Sequence, residues 1–261
     1  MLGVELATIA DAQGQLLERC MEQAGFRYWV PPALSAEESR DFGFVIDDVA
    51  WAKTYGYGGR IQQKARGHAA INRNQDYVKS LSKDERARYS TALQGNGQML
   101  SVTLPDGRTI RNATGGCEAK GEQRLYGDRE AWFRASRVTD HLGTLYMPKV
   151  EADPRFKRAV SAWSACMRAS GFTYKDPREI RSDLPGLTAG LRPDEAHSLE
   201  VRTAVAEATC ARQTSLAESA RTVIRHHQDA LPKHYRAEID TRNQLRHGAY
   251  SMSRNIVSSQ G

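Results

Sequence analysis

The chain has 261 residues, 40% of them apolar, and a mean hydropathy of -0.60. These values describe a soluble globular protein of one large or two small domains. No run of eighteen apolar residues offers a membrane span, and nine Pro and 21 Gly exclude collagen-like and low-complexity classes. The formal charge is +6, and 28 of the 37 basic residues are Arg. Acidic residues are interleaved with the basic ones, so a mixed, solvated surface is expected in preference to a nucleic-acid groove.

Met1-Leu2-Gly3-Val4-Glu5 lacks the basic start and apolar block of a signal peptide, which leads to the expectation of a mature form. In the first predicted helix Ile9, Leu16, Leu17, Cys20 and Ala24 fall near one face. It should stop at Gly25, where a helix end favours a left-handed residue, and Phe26 can then fold back on the last turn. Pro31-Pro32 opens a loop, and Ser35-Ala36-Glu37-Glu38 offers a short capped start.

The segment Trp51-Ala52-Lys53-Thr54-Tyr55-Gly56-Tyr57-Gly58-Gly59-Arg60 mixes aromatics with glycines. It lacks the order of a phosphate loop. Two readings stand: a recognition loop in which Trp51, Tyr55, Tyr57 and Arg60 meet a ligand, and a loop whose aromatics anchor it to the core, the commoner case.

Helical pieces are expected over 74–81 and 82–94, the second opened by the capping box Ser82-Lys83-Asp84-Glu85. Leu100–Leu104, Pro105-Asp106-Gly107 and Arg108–Arg111 form the best strand–turn–strand signal, a small hairpin over about 99–112. It leads to Gly115-Gly116-Cys117. One or two further helices are expected between 121 and 150, and Pro185, Gly186 and Gly190 mark 183–192 as a connector. Pro193 and the acids after it open a long helical region that Pro232 should interrupt, giving helices over about 194–228 and 232–256.

The four cysteines are Cys20, Cys117, Cys166 and Cys210, spaced too widely for CxxC redox motifs or zinc knuckles. Cys20-Met21-Glu22-Gln23-Ala24-Gly25-Phe26-Arg27-Tyr28 recurs as Cys166-Met167-Arg168-Ala169-Ser170-Gly171-Phe172-Thr173-Tyr174, with Cys, Met, Gly, Phe and Tyr in register. Each copy ends an amphipathic helix with a cysteine in its final turn, a position from which it can staple the helix end to a distant segment. The reading pairs Cys20 with Cys117 and Cys166 with Cys210, with the two other pairings left open. Such bridges imply an oxidising compartment; the alternative reading is four packed thiols in a cytoplasmic protein.

Motifs of chemistry are missing. Four of seven histidines crowd the C-terminal region (His226, His227, His234, His247), but no HxxxH or HExxH occurs, so no metal and no cofactor are expected. No GxSxG, SxxK or HGGG segment marks a nucleophile, and bridged cysteines cannot serve as one.

The Cys-Met helix ends, Gly56-Tyr57-Gly58, Asn74-x-x-Tyr77, Ser80-Leu81-Ser82-x-x-Glu85, Ala92-Leu93-x-Gly95, Gly115-Gly116-Cys117 and Trp163-x-x-Cys166-Met167 together resemble a family of actinobacterial secreted proteins and lipoproteins of unknown function. The resemblance implies an exported protein with four disulfide-bonded cysteines and no recognised catalytic residues. It departs at the start of the chain, which has no lipidation cysteine, so membrane association would need an anchor absent from this chain.

The combined expectation is a mainly α, single-domain protein over 1–261, with a helical core and one hairpin over 1–191 and a long helical pair over 192–261, stapled by two disulfides. It would act outside the cytoplasm as a non-enzymatic binding or accessory protein of the cell envelope, with an envelope protein, a peptide or an anionic wall polymer as partner. The alternatives are a cell-envelope hydrolase and a nucleic-acid-binding protein with a basic helical face.

Overall fold

The structure, a computed structural model, describes residues 3–70 and 72–258. It is mainly α, with one two-stranded hairpin and two disulfides, Cys20–Cys117 and Cys166–Cys210. The chain divides into two compact units: Met1–Ser39, Arg66–Thr144 and Pro232–Gly261 form the first, Arg40–Ala65 and Leu145–Leu231 the second. This division does not follow the boundary expected near 191, because the last two helices belong to different units.

In the first unit, helix α1 (Gly3–Gln23) packs along α13 (Lys233–Ser258), which also touches α6 (Gly116–Tyr126) and α7 (Arg129–His141). Ile9, Ala12, Leu125, Ala249 and Ile256 close that seam, the helical stripe burying its apolar positions against its neighbour. Two short helices, α4 (Arg73–Ser80) and α5 (Lys83–Gln94), precede the hairpin, and the Ser82–Glu85 capping box forms as its spacing requires. Strands β1 (Met99–Thr103) and β2 (Thr109–Ala113) pair antiparallel with Val102 opposite Ile110. Gly107 turns the chain at φ 84°. The buried Arg129 anchors the end of β2, donating Nη2–H to the Ala113 carbonyl at 2.6 Å and Nε–H to Glu122 at 2.7 Å.

The Gly115-Gly116-Cys117 turn runs so close to the end of α5 that a Cβ on Gly95 would lie 2.6 Å from Gly115 Cα. That contact, with φ of +83° at Gly95, explains the glycines and delivers Cys117 to the first turn of α6.

The second unit contains α2 (Val49–Tyr55), α9 (Pro154–Ala169), α10 (Pro177–Thr188), α11 (Pro193–Gln213) and α12 (Leu216–Asp229). Helices α3 (Gly59–Ala70) and α8 (Gly143–Ala152) carry the chain across the division. Its core gathers Val45, Trp163, Met167, Ile180, Cys210, Ala211 and Leu216. Two expectations are corrected here. The predicted connector over 183–192 is largely helical, because Asp176 caps α10 and Ile180 buries completely, which holds the helix through Pro185 in its final turns. The helix expected over 194–228 breaks after Gln213, where Ser215 takes a left-handed φ of 52° and Leu216 drops into the core.

The sequence repeat is a structural repeat at its helix ends. Phe26 N–H donates to the Met21 carbonyl and Gly25 N–H to Glu22; in the second copy Phe172 donates to Met167 and Gly171 to Arg168. This pair of bonds is the Schellman motif, and Gly25 and Gly171 supply its left-handed residue at φ 83° and 87°. Met21 and Met167 are fully buried under the two caps. Each following extended segment is then pinned by a side chain: Asn74 brackets Trp29 through both its N–H and its carbonyl, and Ser164 donates to the Tyr174 carbonyl.

The bridges close separations of 97 and 44 residues. Loop-closure entropy assigns each roughly 4 kcal/mol. Cys20→Ser/Cys117→Ser and Cys166→Ser/Cys210→Ser should each lower the denaturant midpoint without changing the far-ultraviolet circular dichroism of what remains folded, with the larger loss in the first pair. Chemical unfolding of the two variants beside the native protein checks the order.

Candidate functional site

The aromatic–glycine loop is built inward. Asp48 caps α2 by accepting from Trp51 N–H, and that bond holds the Asp48 carboxyl below the usual carboxylate range. Trp51 is buried, in edge contact with Phe42 at 4.8 Å and tilted against Tyr55 at 5.1 Å. Beyond Tyr55 the chain wraps the side chain of Glu200 on α11. Tyr57 N–H and Gly59 N–H both donate to Glu200 Oε2, at 3.2 and 3.0 Å. Glycine-rich turns leading into a helix often hold phosphate in this way. Here an internal carboxylate occupies the cradle at the start of α3. A Cβ on Gly56 would come 2.7 Å from Glu200 Cβ, and one on Gly59 would come 2.1 Å from Glu200 Oε1.

Tyr57 continues inward to a second acid. Its hydroxyl donates to Glu207 Oε2 at 2.5 Å, while Glu207 Oε1 accepts from Ile46 N–H at 2.9 Å and from Arg181 at 3.0 Å. Glu207 is fully buried, and burial pushes its carboxyl up while the three donors and the Arg181 charge pull against that. Burial and the Glu207 charge push the Tyr57 phenol well above the ordinary tyrosine range. Arg181 also lies 5.6 Å from the Tyr57 ring centre and donates to the Pro177 carbonyl. Trp51 and Tyr57 therefore meet the protein itself, Tyr55 stands half-buried beside Trp51, and Arg60 is exposed and paired with Asp194 at 2.6 Å. Of the four residues singled out in this loop, Arg60 is the one exposed to solvent.

Glu200 and Glu207 were not singled out in the sequence, although a signal exists. The buried face of α11 reads Glu200, Ala204, Glu207, Ala211, in which two carboxylates recur at helical spacing among small residues.

The side chains that remain open to a ligand gather elsewhere in the second unit. On α9, the exposed Lys157, Ser161 and Arg168, with the buried Ser164 between the last two, follow one another at four-, three- and four-residue intervals, forming one stripe. Beside it the segment before α10 brings Lys175, Asp176 and Arg178. Together with Glu151, Phe156 and Val160 they line an open groove of about 380 Å³. Arg178 is bound to Glu151 at 2.5 Å and to Asp176, so both carboxylates of the groove are taken by one guanidinium. Arg168 donates to Ser164 Oγ at 3.0 Å, which fixes its position along the wall. Among the described residues no carboxylate pairs with Lys157, Arg168 or Lys175.

The histidines do not converge: among the described residues no three His, Cys, Asp or Glu side chains stand close enough to hold a metal ion. His227 Nε2 instead lies 3.2 Å from Asp153, the cap of α9, which also accepts from Arg155 at 2.7 Å. Arg155, with help from its own backbone N–H and from His227, holds the Asp153 carboxyl far below the usual range.

Glu207→Gln should cost about 2–3 kcal/mol, because an amide cannot accept from Ile46, Arg181 and Tyr57 together. Gly56→Ala should cost about 2 kcal/mol or more through its left-handed φ and the Glu200 contact. Thermal or urea unfolding of both variants measures these losses. A carboxylate with a depressed folded-state pKa stabilises above its unfolded value, near 4, and loses that contribution as the pH falls further. Asp153→Asn should accordingly flatten the acid side of the stability–pH curve, read as urea midpoints taken downward from neutral pH. Comparison with protein-family models, curated proteins and solved structures finds no match for the chain, so its function rests on the geometry of these residues.

Proposed function

We propose that this is a non-enzymatic extracytoplasmic binding or accessory protein of the cell envelope, whose partner meets the groove along α9. The observation that carries the reading is that all four cysteines are spent in two bridges, each at a capped helix end. Bridges of this kind persist where thiols are not kept reduced. No described helix is long and apolar enough to cross a membrane. The resemblance of the Cys-Met helix ends to actinobacterial secreted proteins and lipoproteins supports the same setting.

Binding fits the side chains better than catalysis. The buried acids Glu200 and Glu207 are held by donors of the protein, and the carboxylates of the groove are both held by Arg178. On the long C-terminal helices Arg192, Arg221 and Arg242 pair with Glu195, Asp47 and Asp140, a mixed-sign pattern that weighs against a continuous basic face for nucleic acid.

Thiol counting tests the reading. Native protein treated with an alkylating reagent without reductant should keep its mass and gain four adducts after reduction, and antibody-probed fractions of the source cells should place it outside the cytoplasm. Four adducts on unreduced protein, or recovery in the cytosol alone, would overturn the proposal.

A further inference from the structure

The groove along α9 is more specific than its net charge. We propose that it binds an extended phosphodiester polyanion, a polyol-phosphate chain of the envelope, with Lys157, Arg168 and Lys175 each meeting a phosphate. This deepens the binding role proposed above and rests on it for the ligand's compartment.

The charge is available where a ligand can reach it. Neighbouring cations are already neutralised, Arg155 by Asp153 and Arg178 by Glu151 and Asp176. Lys157, Arg168 and Lys175 have no such partner among the described residues, and all three are exposed on the walls of one groove. Exposed like charges held near one another raise the local potential and draw an anion in.

Length sets the kind of anion. Lys157 and Arg168 are eleven residues apart on one helix, and because Arg168 reaches back to Ser164 the span from the Lys157 backbone to the Arg168 guanidinium is about seven residues, roughly 10 Å along the axis. A single phosphate or carboxylate can satisfy one end of that stripe. Meeting both ends takes a ligand with at least two anionic groups on an extended backbone. Between the ends the wall offers the exposed Ser161 hydroxyl and the side of Val160, a surface suited to a short polyol spacer, while the buried Ser164 is spent on the Tyr174 carbonyl and on Arg168.

The lining also separates this polymer from the other polyanions. A peptide that binds by adding a strand needs a strand edge, and the groove is walled by a helix and a turn, so an acidic peptide would have only its side-chain charges to offer there. Single-stranded nucleic acid gains its affinity by stacking bases on exposed rings. Phe156, the aromatic residue in the lining, is 4% exposed and packed into the core.

Binding is measured on the whole oxidised chain by fluorescence anisotropy of end-labelled poly(glycerol phosphate), with inorganic phosphate, polyglutamate and single-stranded DNA as competitors. Lys157→Ala/Arg168→Ala/Lys175→Ala should weaken binding roughly tenfold or more, as expected for several lost charge-assisted contacts. It should also flatten the plot of log affinity against log salt by about 2, at about 0.7 per phosphate contact. A triple variant with equal charge loss elsewhere in the unit, Lys53→Ala/Arg202→Ala/Arg225→Ala, should bind like the native protein. Circular dichroism melting confirms that both variants fold, and Lys157→Glu/Lys175→Glu gives an independent second test of the groove.

Equal weakening by the two triple variants would assign the binding to net charge and overturn the proposal. So would competition by inorganic phosphate at the same phosphate concentration as the polymer, or tighter binding of polyglutamate or DNA. Absence of polymer binding by protein with intact bridges and an extracytoplasmic location would sink this inference alone, whereas free thiols and a cytosolic location would sink the functional reading beneath it.

Discussion

A sulfur bridge placed on the last turn of a glycine-capped helix is the constraint around which each unit is organised. The left-handed glycine stops the helix and the Phe that follows turns back over the last turn. The buried Met then fixes which face looks inward, and the neighbouring Cys is delivered to its partner. The cap supplies direction and the bridge supplies permanence. In the second unit this joins α9 to α11, so the helix carrying the open cations and the helix carrying the buried acids are held to each other by a covalent bond.

The acids of α11 use the same economy of donors. Glu200 takes backbone amides of the glycine loop, and Glu207 takes a phenol, an amide and a guanidinium. A charge removed from water is tolerated when donors of the protein replace the lost water, and removal of one partner leaves the other exposed to the desolvation penalty. The loop, α2 and α10 are thereby tied to one face of α11, and the outer side of α9 with the turn before α10 gathers three exposed cations along one groove.

Much of this was legible in the residues. The nine-residue repeat, the capping box at Ser82 and the turn at Pro105-Asp106-Gly107 act through local rules, in which a few adjacent residues decide the backbone, and each formed as its pattern requires. The same repeat marked Cys20 and Cys166 as bridge positions, and the fold chose Cys117 and Cys210 as their partners from among the pairings the sequence left open. Long-range choices were not legible. Pro185 reads locally as a stop, yet Ile180 buries deeply enough to carry α10 through it. Ser215 carries no local signal for a left-handed break; the demand comes from Leu216 entering the core. The polar stripe Lys157, Ser161, Ser164, Arg168 is visible as a helical spacing. Its meeting with Lys175 depends on how the chain after Gly171 returns along α9, and only the folded unit places that turn.

The pairing of α1 with α13 bears on how the protein is made. Roughly 200 residues separate the two, so a ribosome adding about 5–20 residues each second leaves the first helix waiting on the order of ten to forty seconds for its partner. Through that interval α6, through Leu125, offers Ile9 and Ala12 part of their cover, and the Ala249 and Ile256 side of the seam stays open. The first unit therefore completes its hydrophobic seam only when the last helix of the chain has been made, whereas both sulfur bridges join segments that precede it.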